Sequence, residues 1–224
     1  MPLKITFLGH AGFLIQDGSH AVAIDPFLTG NPVAKHTPDQ IKCQSIVLTH
    51  GHPDHVGDSV AIAKANNATV IGAFELTAYF EEQGIAVEPM NPGGQIDTPF
   101  GWVALTQAFH SNSYEGRYMG MPCGAVVHFK GAGKTIYHCG DTCLFSDMKL
   151  IGELYKPDIA CIPIGDRFTM GPRLATKAAQ FIGAKVAIPI HYKTWPLLAQ
   201  SADDFKPAGV EVKVMEAGEQ WQCG

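Results

Sequence analysis

The chain has 224 residues, 46% of them hydrophobic and only 17% charged, with a formal net charge of -5. That apolar fraction supports a sizeable core. The charge balance offers no basic surplus for the phosphates of a nucleic acid, and no run approaches the ~18 apolar residues of a membrane span. The opening Met1-Pro2-Leu3-Lys4-Ile5-Thr6-Phe7 reads as a first strand and not as a secretion signal. Six cysteines (Cys43, Cys123, Cys139, Cys143, Cys161 and Cys223) are then expected as reduced thiols in a cytoplasmic protein.

In chain order, strand patterns cover Lys4–Leu8, Phe13–Gln16 and Ala21–Ile24, separated by Gly9, Gly12, Asp17-Gly18 and Pro26. Tight turns between β-rich runs predict an antiparallel meander. Residues 27–39, with two prolines and a Gly-Asn pair, read as a loop, and a strand follows over 45–49. Asp58 caps a helix over Ser59–Asn66, Ala68–Ile71 is a short strand, and Glu75–Gln83 is a helix closed by Gly84. The pattern then returns to β at Gln95–Asp97, Trp102–Ala108, Ala125–Phe129 and Thr135–His138. After these come a helix over Leu144–Leu154, a strand at Ile159–Ile164, a helix over Arg173–Ile182 ended by Gly183, and a strand at Val186–Ile190. A short helix over Ala202–Lys206 and strands at Val210–Met215 and Gln220–Gln222 finish the chain. No linker or charge block interrupts it, so residues 1–224 read as one domain. Both halves run from meandering strands into strand–helix alternation. That predicts a mixed α/β (α+β) fold of two packed sheets with helices outside, a four-layer αβ/βα sandwich.

Chemistry concentrates in His50-Gly51-His52-Pro53-Asp54-His55, directly after an apolar strand. Neutral imidazole and carboxylate suit zinc and its first-row neighbours, and a strand ending in such a loop aims several short side chains at one point. Three more ligand-type residues end strand patterns at polar turns: His110 after 103–109, Asp141 after 135–140 and His191 after 186–190. Side chains from several strand ends converge on the rim of a sheet sandwich, where loops form a cleft.

The order His50-x-His52-x-Asp54-His55, His110, Asp141, His191 resembles the pattern of the metallo-β-lactamase superfamily and spans nearly the whole chain. Three segments are further similar to its small stand-alone metal-dependent hydrolases related to the ascorbate-6-phosphate lactonases. They are Phe7-Leu8-Gly9-His10-Ala11-Gly12-Phe13, Ile24-Asp25-Pro26 with Gly30-Asn31-Pro32, and residues 164–172. The resemblance implies a metallo-β-lactamase fold with His50, His52 and His110 on a first metal. It places Asp54, His55 and His191 on a second, with Asp141 bridging. Zinc is the first choice of ion, with manganese or iron as alternatives. Two such ions ~3.5–4 Å apart share a hydroxide and clamp attacking and leaving oxygens. The implied activity is hydrolysis of a small ester, lactone or phosphoester, an anionic sugar derivative among them. Alternatives are a metal-dependent nuclease or phosphodiesterase on nucleic acid, redox chemistry at a di-iron site, and a regulatory metal-binding protein without turnover. Neither a nucleic acid nor a membrane is an expected partner, and a homo-oligomer stays open.

Beside the ligands, Asp54 is expected to orient the nucleophile as well as bind metal. His10 has two readings: a rim residue orienting substrate or a ligand, as the resemblance implies, or a turn histidine bonded to backbone. Asp25 suits a carboxylate accepting the free N–H of a ligand histidine, and Tyr192 is a candidate donor to a developing oxyanion. Cys139 reads as a buried reduced thiol, and His20, His36, His128 and His138 as structural or surface residues. Residues 111–123 and 166–170 are expected as walls of the cleft, with Arg117, Arg167 and Lys193 as candidate partners of a substrate anion.

Overall fold

A computed structural model describes residues 2–224, so Met1, the first residue of the expected opening strand, lies outside the described residues. Strands β1 (Leu3–Gly9), β2 (Gly12–Asp17) and β3 (His20–Ile24) form the predicted antiparallel meander. The chain then switches to parallel strand–helix alternation. It runs β4 (Ser45–Val47), the short helix α1 (Pro53–Val56), α2 (Ser59–Asn66), β5 (Thr69–Ala73), α3 (Phe74–Glu81) and β6 (Val87–Met90).

The second half repeats this plan. Antiparallel β7 (Gln95–Thr98), β8 (Gly101–Gln107), β11 (Cys123–Phe129) and β12 (Lys134–His138) lead it, with the hairpin β9 (Ser113–Tyr114) and β10 (Arg117–Tyr118) inserted after β8. Helix α4 (Met148–Tyr155), β13 (Ile159–Pro163), α5 (Pro172–Ile182), β14 (Val186–Ile190) and β15 (Glu211–Val212) follow as parallel crossovers. Strand β16 (Gln220–Cys223) returns to pair with β1. The result is two seven-stranded sheets, ordered β16-β1-β2-β3-β4-β5-β6 and β15-β14-β13-β12-β11-β8-β7.

Period-two alternation sorts each strand of the second sheet between two apolar layers. Ile159 and Cys161 of β13 join a core shared with Ile5, Phe13, Ile46 and other residues of the first sheet. Ala160 and Ile162 point the other way, onto Met148 and Ile151 of α4 and Ala175, Ala179 and Ile182 of α5. Strands covered on both faces read as continuous apolar runs, and every residue of β13 and β14 is buried. Each fully buried isoleucine there contributes about 1.5–3 kcal/mol by leaving water. Helix α5 follows the same logic: Pro172 opens its first turn, apolar positions 175, 178, 179 and 182 share one face, and Gly183 closes it at φ +67. No helix among the described residues is long and apolar enough to cross a membrane.

Several boundaries differ from the sequence reading. Residues 202–206 form turns and not a helix: Asp203 N–H bonds to Ser201 Oγ, and five residues before a proline cannot offset the cost of helix nucleation. Helix α4 begins at Met148, because Lys149 N–H already returns to Ser146 O and leaves 144–147 as loop. The expected strand 210–215 keeps only Glu211–Val212. Strand β6 was not expected because Pro89 sits within it; at a sheet edge, its missing N–H costs nothing. Helix α1 is a single turn, too short for periodicity to signal.

Candidate metal centre

The ligand-type residues meet because their strands end at one edge. His50 lies three residues beyond β4, His110 three beyond β8, Asp141 three beyond β12, and His191 directly after β14. Pro53 starts the turn of α1 with His52 at its N-terminus, and the turn carries His55 into the core while Asp54 stays half-buried. Gly57 must end that turn: its φ is +46, and a Cβ there would lie 2.5 Å from Pro26 O.

In the first group, His52 Nδ1 is 3.1 Å from His50 Nε2 and 3.2 Å from His110 Nε2. Zinc–nitrogen bonds of about 2.0–2.1 Å in a tetrahedron place ligand nitrogens ~3.3–3.4 Å apart, so these rings already sit near the edges of a coordination polyhedron. The second group is His10, Asp54, His55 and His191, whose ligand atoms all fall within 4.8 Å of one another. Asp141 lies between the groups: its Oδ2 is 3.5 Å from His110 Nε2 and 3.0 Å from His191 Nε2.

The fit of a cation rests on atoms that otherwise lack partners. His55 Nε2 and Asp141 Oδ1 are buried, 3.4 Å apart, and neither makes a hydrogen bond. With its Nδ1–H directed at Asp25, His55 turns a lone pair toward a carboxylate oxygen, a juxtaposition that only positive charge relieves. Proton affinities show the same demand. Burial opposes charge on His55, yet Asp141 and Asp25 raise it well above the usual histidine range. His191 behaves alike, with burial outweighed by Asp141 and the pKa held at about 9. Burial instead pushes His10 down to about 4, helped by His191.

A frame of hydrogen bonds fixes the rings. Asp25, fully buried at φ +43, accepts from His55 Nδ1 (2.7 Å), Thr49 N–H (2.9 Å) and Thr49 Oγ1 (2.6 Å). Because the Thr49 proton goes to Asp25, Oγ1 accepts from His50 Nδ1 at 3.0 Å, which frees His50 Nε2 for the cluster. The side chain of Asn112 clasps three peptides: its Oδ1 accepts from Gly51 N–H at 2.6 Å, and its Nδ2 donates to Met119 O and Gly120 O at 2.8 and 3.0 Å. Gly51 is glycine for the same reason, since a Cβ there would meet Met119 Cγ at 2.7 Å. No motif in the sequence singles out Thr49, Asn112 or Thr194.

Of the other candidates, His10 is buried and touches the cluster through Asp54 Oδ2 (3.0 Å), while its Nδ1 contacts Thr194 Oγ1 (2.7 Å); it is not bonded to backbone through its ring. Tyr192 makes no side-chain hydrogen bond to the cluster, although it lines one cavity with His10. Its ring packs in the α4/α5 apolar layer, burial pushes its hydroxyl up to about 12, and the carboxylates acting on it are Glu216 and Asp203. Cys139 lies in that layer as a free buried thiol. His138 is buried, with Nε2 on Ala11 O. Arg117 is held by Glu82 in two 2.7 Å bonds, and Lys193 reaches Glu216 at 3.4 Å. Arg167 has no carboxylate partner among the described residues; its guanidinium lies 5.8 Å from the Phe168 ring centre. The expected loop 111–123 contains the hairpin β9–β10, docked on α3 by Arg117 and by Tyr114 against Tyr79.

Comparison with known proteins agrees with this architecture. A family model described as the β-lactamase superfamily domain matches residues 4–191. The chain is 48% identical to a UPF0173 metal-dependent hydrolase of Bacillus cereus over 225 residues, covering 97% of this chain and 98% of that one. A UPF0173 metal-dependent hydrolase of Anoxybacillus flavithermus is 48% identical over 208 residues, covering 91% and 92%. Among solved structures, Igni18, a metallo hydrolase of Ignicoccus hospitalis, superposes with a TM-score of 0.91 at 34% identity, covering 100% of this chain and 99% of that one. With two packed sheets and a His/Asp cluster at their shared edge, the chain belongs to the β-lactamase superfamily and, within it, to the UPF0173 metal-dependent hydrolases.

Proposed function

We propose that this chain hydrolyses a small ester, lactone or phosphoester with two divalent cations, zinc first among them and manganese or iron as alternatives. His50, His52 and His110 would hold one cation, and Asp54, His55 and His191 the other, with Asp141 shared. The observation carrying this reading is the position of Asp141 Oδ2 between His110 and His191. Two such cations supply a water-derived nucleophile at neutral pH and polarise the scissile carbonyl or phosphoryl group.

The chain's own residues divide the remaining work by exposure. The Asp141 side chain is 2% exposed and serves only the cluster interior, whereas that of Asp54 is 23% exposed and open to a substrate. His10 holds Asp54 Oδ2, with Thr194 behind it, so the carboxylate is fixed in the orientation in which it would ligate the second cation and orient the attacking water. His10 is thus a positioning residue. An anionic substrate would find its cation in Arg167, since Arg117 and Lys193 are paired. The test is an activity panel of lactones, thioesters, phosphodiesters and phosphomonoesters on metal-analysed protein, beside His52→Ala and Asp141→Ala. Both variants should lose metal and turnover together. A folded, metal-depleted variant that kept full hydrolysis would refute the mechanism.

A further inference from the structure

The rim of the metal cleft is where the chain leaves large apolar side chains in water. Ten large hydrophobic residues are exposed among the described residues, and six of them lie in segments that follow the strand ends at this edge: Phe74, Phe109, Tyr118, Met121, Phe168 and Leu197. Phe74 begins α3 at the end of β5, beside the β4 end that carries His50. Phe109 precedes His110. Tyr118 and Met121 belong to the β9–β10 segment, and Phe168 and Leu197 to the loops beyond β13 and β14. Single exposed apolar residues are ordinary, but a concentration around one concave polar site marks a ligand surface.

These loops are tied together. Phe109 N–H donates to Thr142 Oγ1 at 3.0 Å and Met170 N–H donates to Thr142 O at 3.2 Å, so three loops meet at the residue after Asp141. Ala199 N–H donates to Gly165 O at 3.0 Å, joining the loop beyond β14 to the loop beyond β13. The Phe109 ring rests against Phe145, with centroids 5.2 Å apart. Of the cations near this edge, Arg117 and Lys193 are paired with Glu82 and Glu216, while the exposed Arg167 lies 5.8 Å from the Phe168 ring centre. The rim is therefore an anchored and mostly apolar surface beside the cluster, with Arg167 as its unpaired cation.

Resting on the hydrolase reading above, we propose that the substrate presents an uncharged apolar group, an acyl chain or aryl ring, to this rim while its scissile bond lies over the metal cluster. Phe109 and Phe168 are the specificity-determining residues. The occupant is the substrate itself, because the surface begins at the ligand residues and surrounds the opening left by Asp54 and His52.

The test titrates zinc-loaded protein with acetate, butanoate, hexanoate and octanoate by calorimetry, and in parallel follows hydrolysis of the matching p-nitrophenyl esters. Burial of methylenes should tighten carboxylate binding by about threefold to fourfold per carbon over part of the series. The Phe109→Ser/Phe168→Ser variant, altered only at exposed positions, should bind metal and acetate like the parent but lose that slope. A flat series in the parent, or a slope that survives in the variant, overturns the proposal. So does light scattering that shows a dimer dissociated by Phe109→Ser, which would make a second copy the occupant. If neither these esters nor the lactones, thioesters and phosphoesters of the activity panel turned over, the hydrolase reading would fail, while the binding slope would still decide this inference.

Discussion

Asp25→Asn isolates the frame behind the cluster. Asparagine keeps the size of the side chain and tolerates the left-handed backbone at φ +43, so the change falls on hydrogen bonding alone. Asp25 accepts three hydrogen bonds, two on Oδ2 and one on Oδ1. If the amide oxygen takes the Oδ2 position, its NH2 group faces the Thr49 N–H, leaving buried donors opposed at a cost of about 1–3 kcal/mol. If the amide flips, NH2 faces His55 Nδ1, and the ring must move its proton to Nε2, the atom turned toward Asp141. Either arrangement weakens metal binding without touching a ligand. A loss of ten- to a hundredfold in affinity follows, equal to about 1.4–2.8 kcal/mol. The assay is competitive zinc titration against a chromogenic chelator, with circular dichroism to confirm the fold. Affinity within threefold of the parent would refute the role assigned to Asp25.

Asn112→Ala should remove the clasp between the Gly51 peptide and the β9–β10 segment, leaving the Gly51 N–H and two carbonyls unpaired. It should lower stability by about 2–4 kcal/mol in denaturant melts and also weaken zinc binding; unchanged metal affinity would reduce it to a fold residue. Gly57→Ala should be harsher than an ordinary loop change, since its Cβ would strike Pro26 O and Phe27 Cα. A drop of about 3 kcal/mol or more is expected, and a melt within 1 kcal/mol of the parent would show that the α1 turn adapts. Chelation of metal held at about 1,000 times its Kd should remove ~4 kcal/mol. For a chain of this length that lowers Tm by on the order of 10 °C, and a calorimetric Tm indifferent to chelator would contradict metal binding by the folded state. Because both sheets share one core, we also propose a single domain, whose metal-free form unfolds in one transition; two separated transitions would divide it.

Much of this was legible in the chain because strand ends and ligand types coincide locally. His50, His110, Asp141 and His191 each follow an apolar run, which suggested a shared rim, while their division between two cations rested on the resemblance to the metallo-β-lactamase superfamily. The residues that orient them could not be read that way. Thr194 reaches His10 across 184 positions and Asn112 reaches Gly51 across 61. A lone threonine or asparagine carries no periodic signal, and only the fold reveals its partner. Tyr192 shows the same limit: adjacency to His191 suggested the cleft, but the chain leaves β14 at Ile190 and His191 takes a left-handed backbone at φ +58, so neighbouring positions need not share a direction. Strand β6 was hidden by Pro89, whose cost depends on an edge position that sequence does not show.

The central claim is two cations per chain, and equilibrium dialysis with mass-spectrometric metal analysis tests it most directly. Protein stripped and reloaded with zinc should saturate at two equivalents. Asp141→Ala should bind one or fewer, and His191→Ala should keep one. Saturation of the parent at a single equivalent, unchanged by His191→Ala, would contradict the shared role given to Asp141.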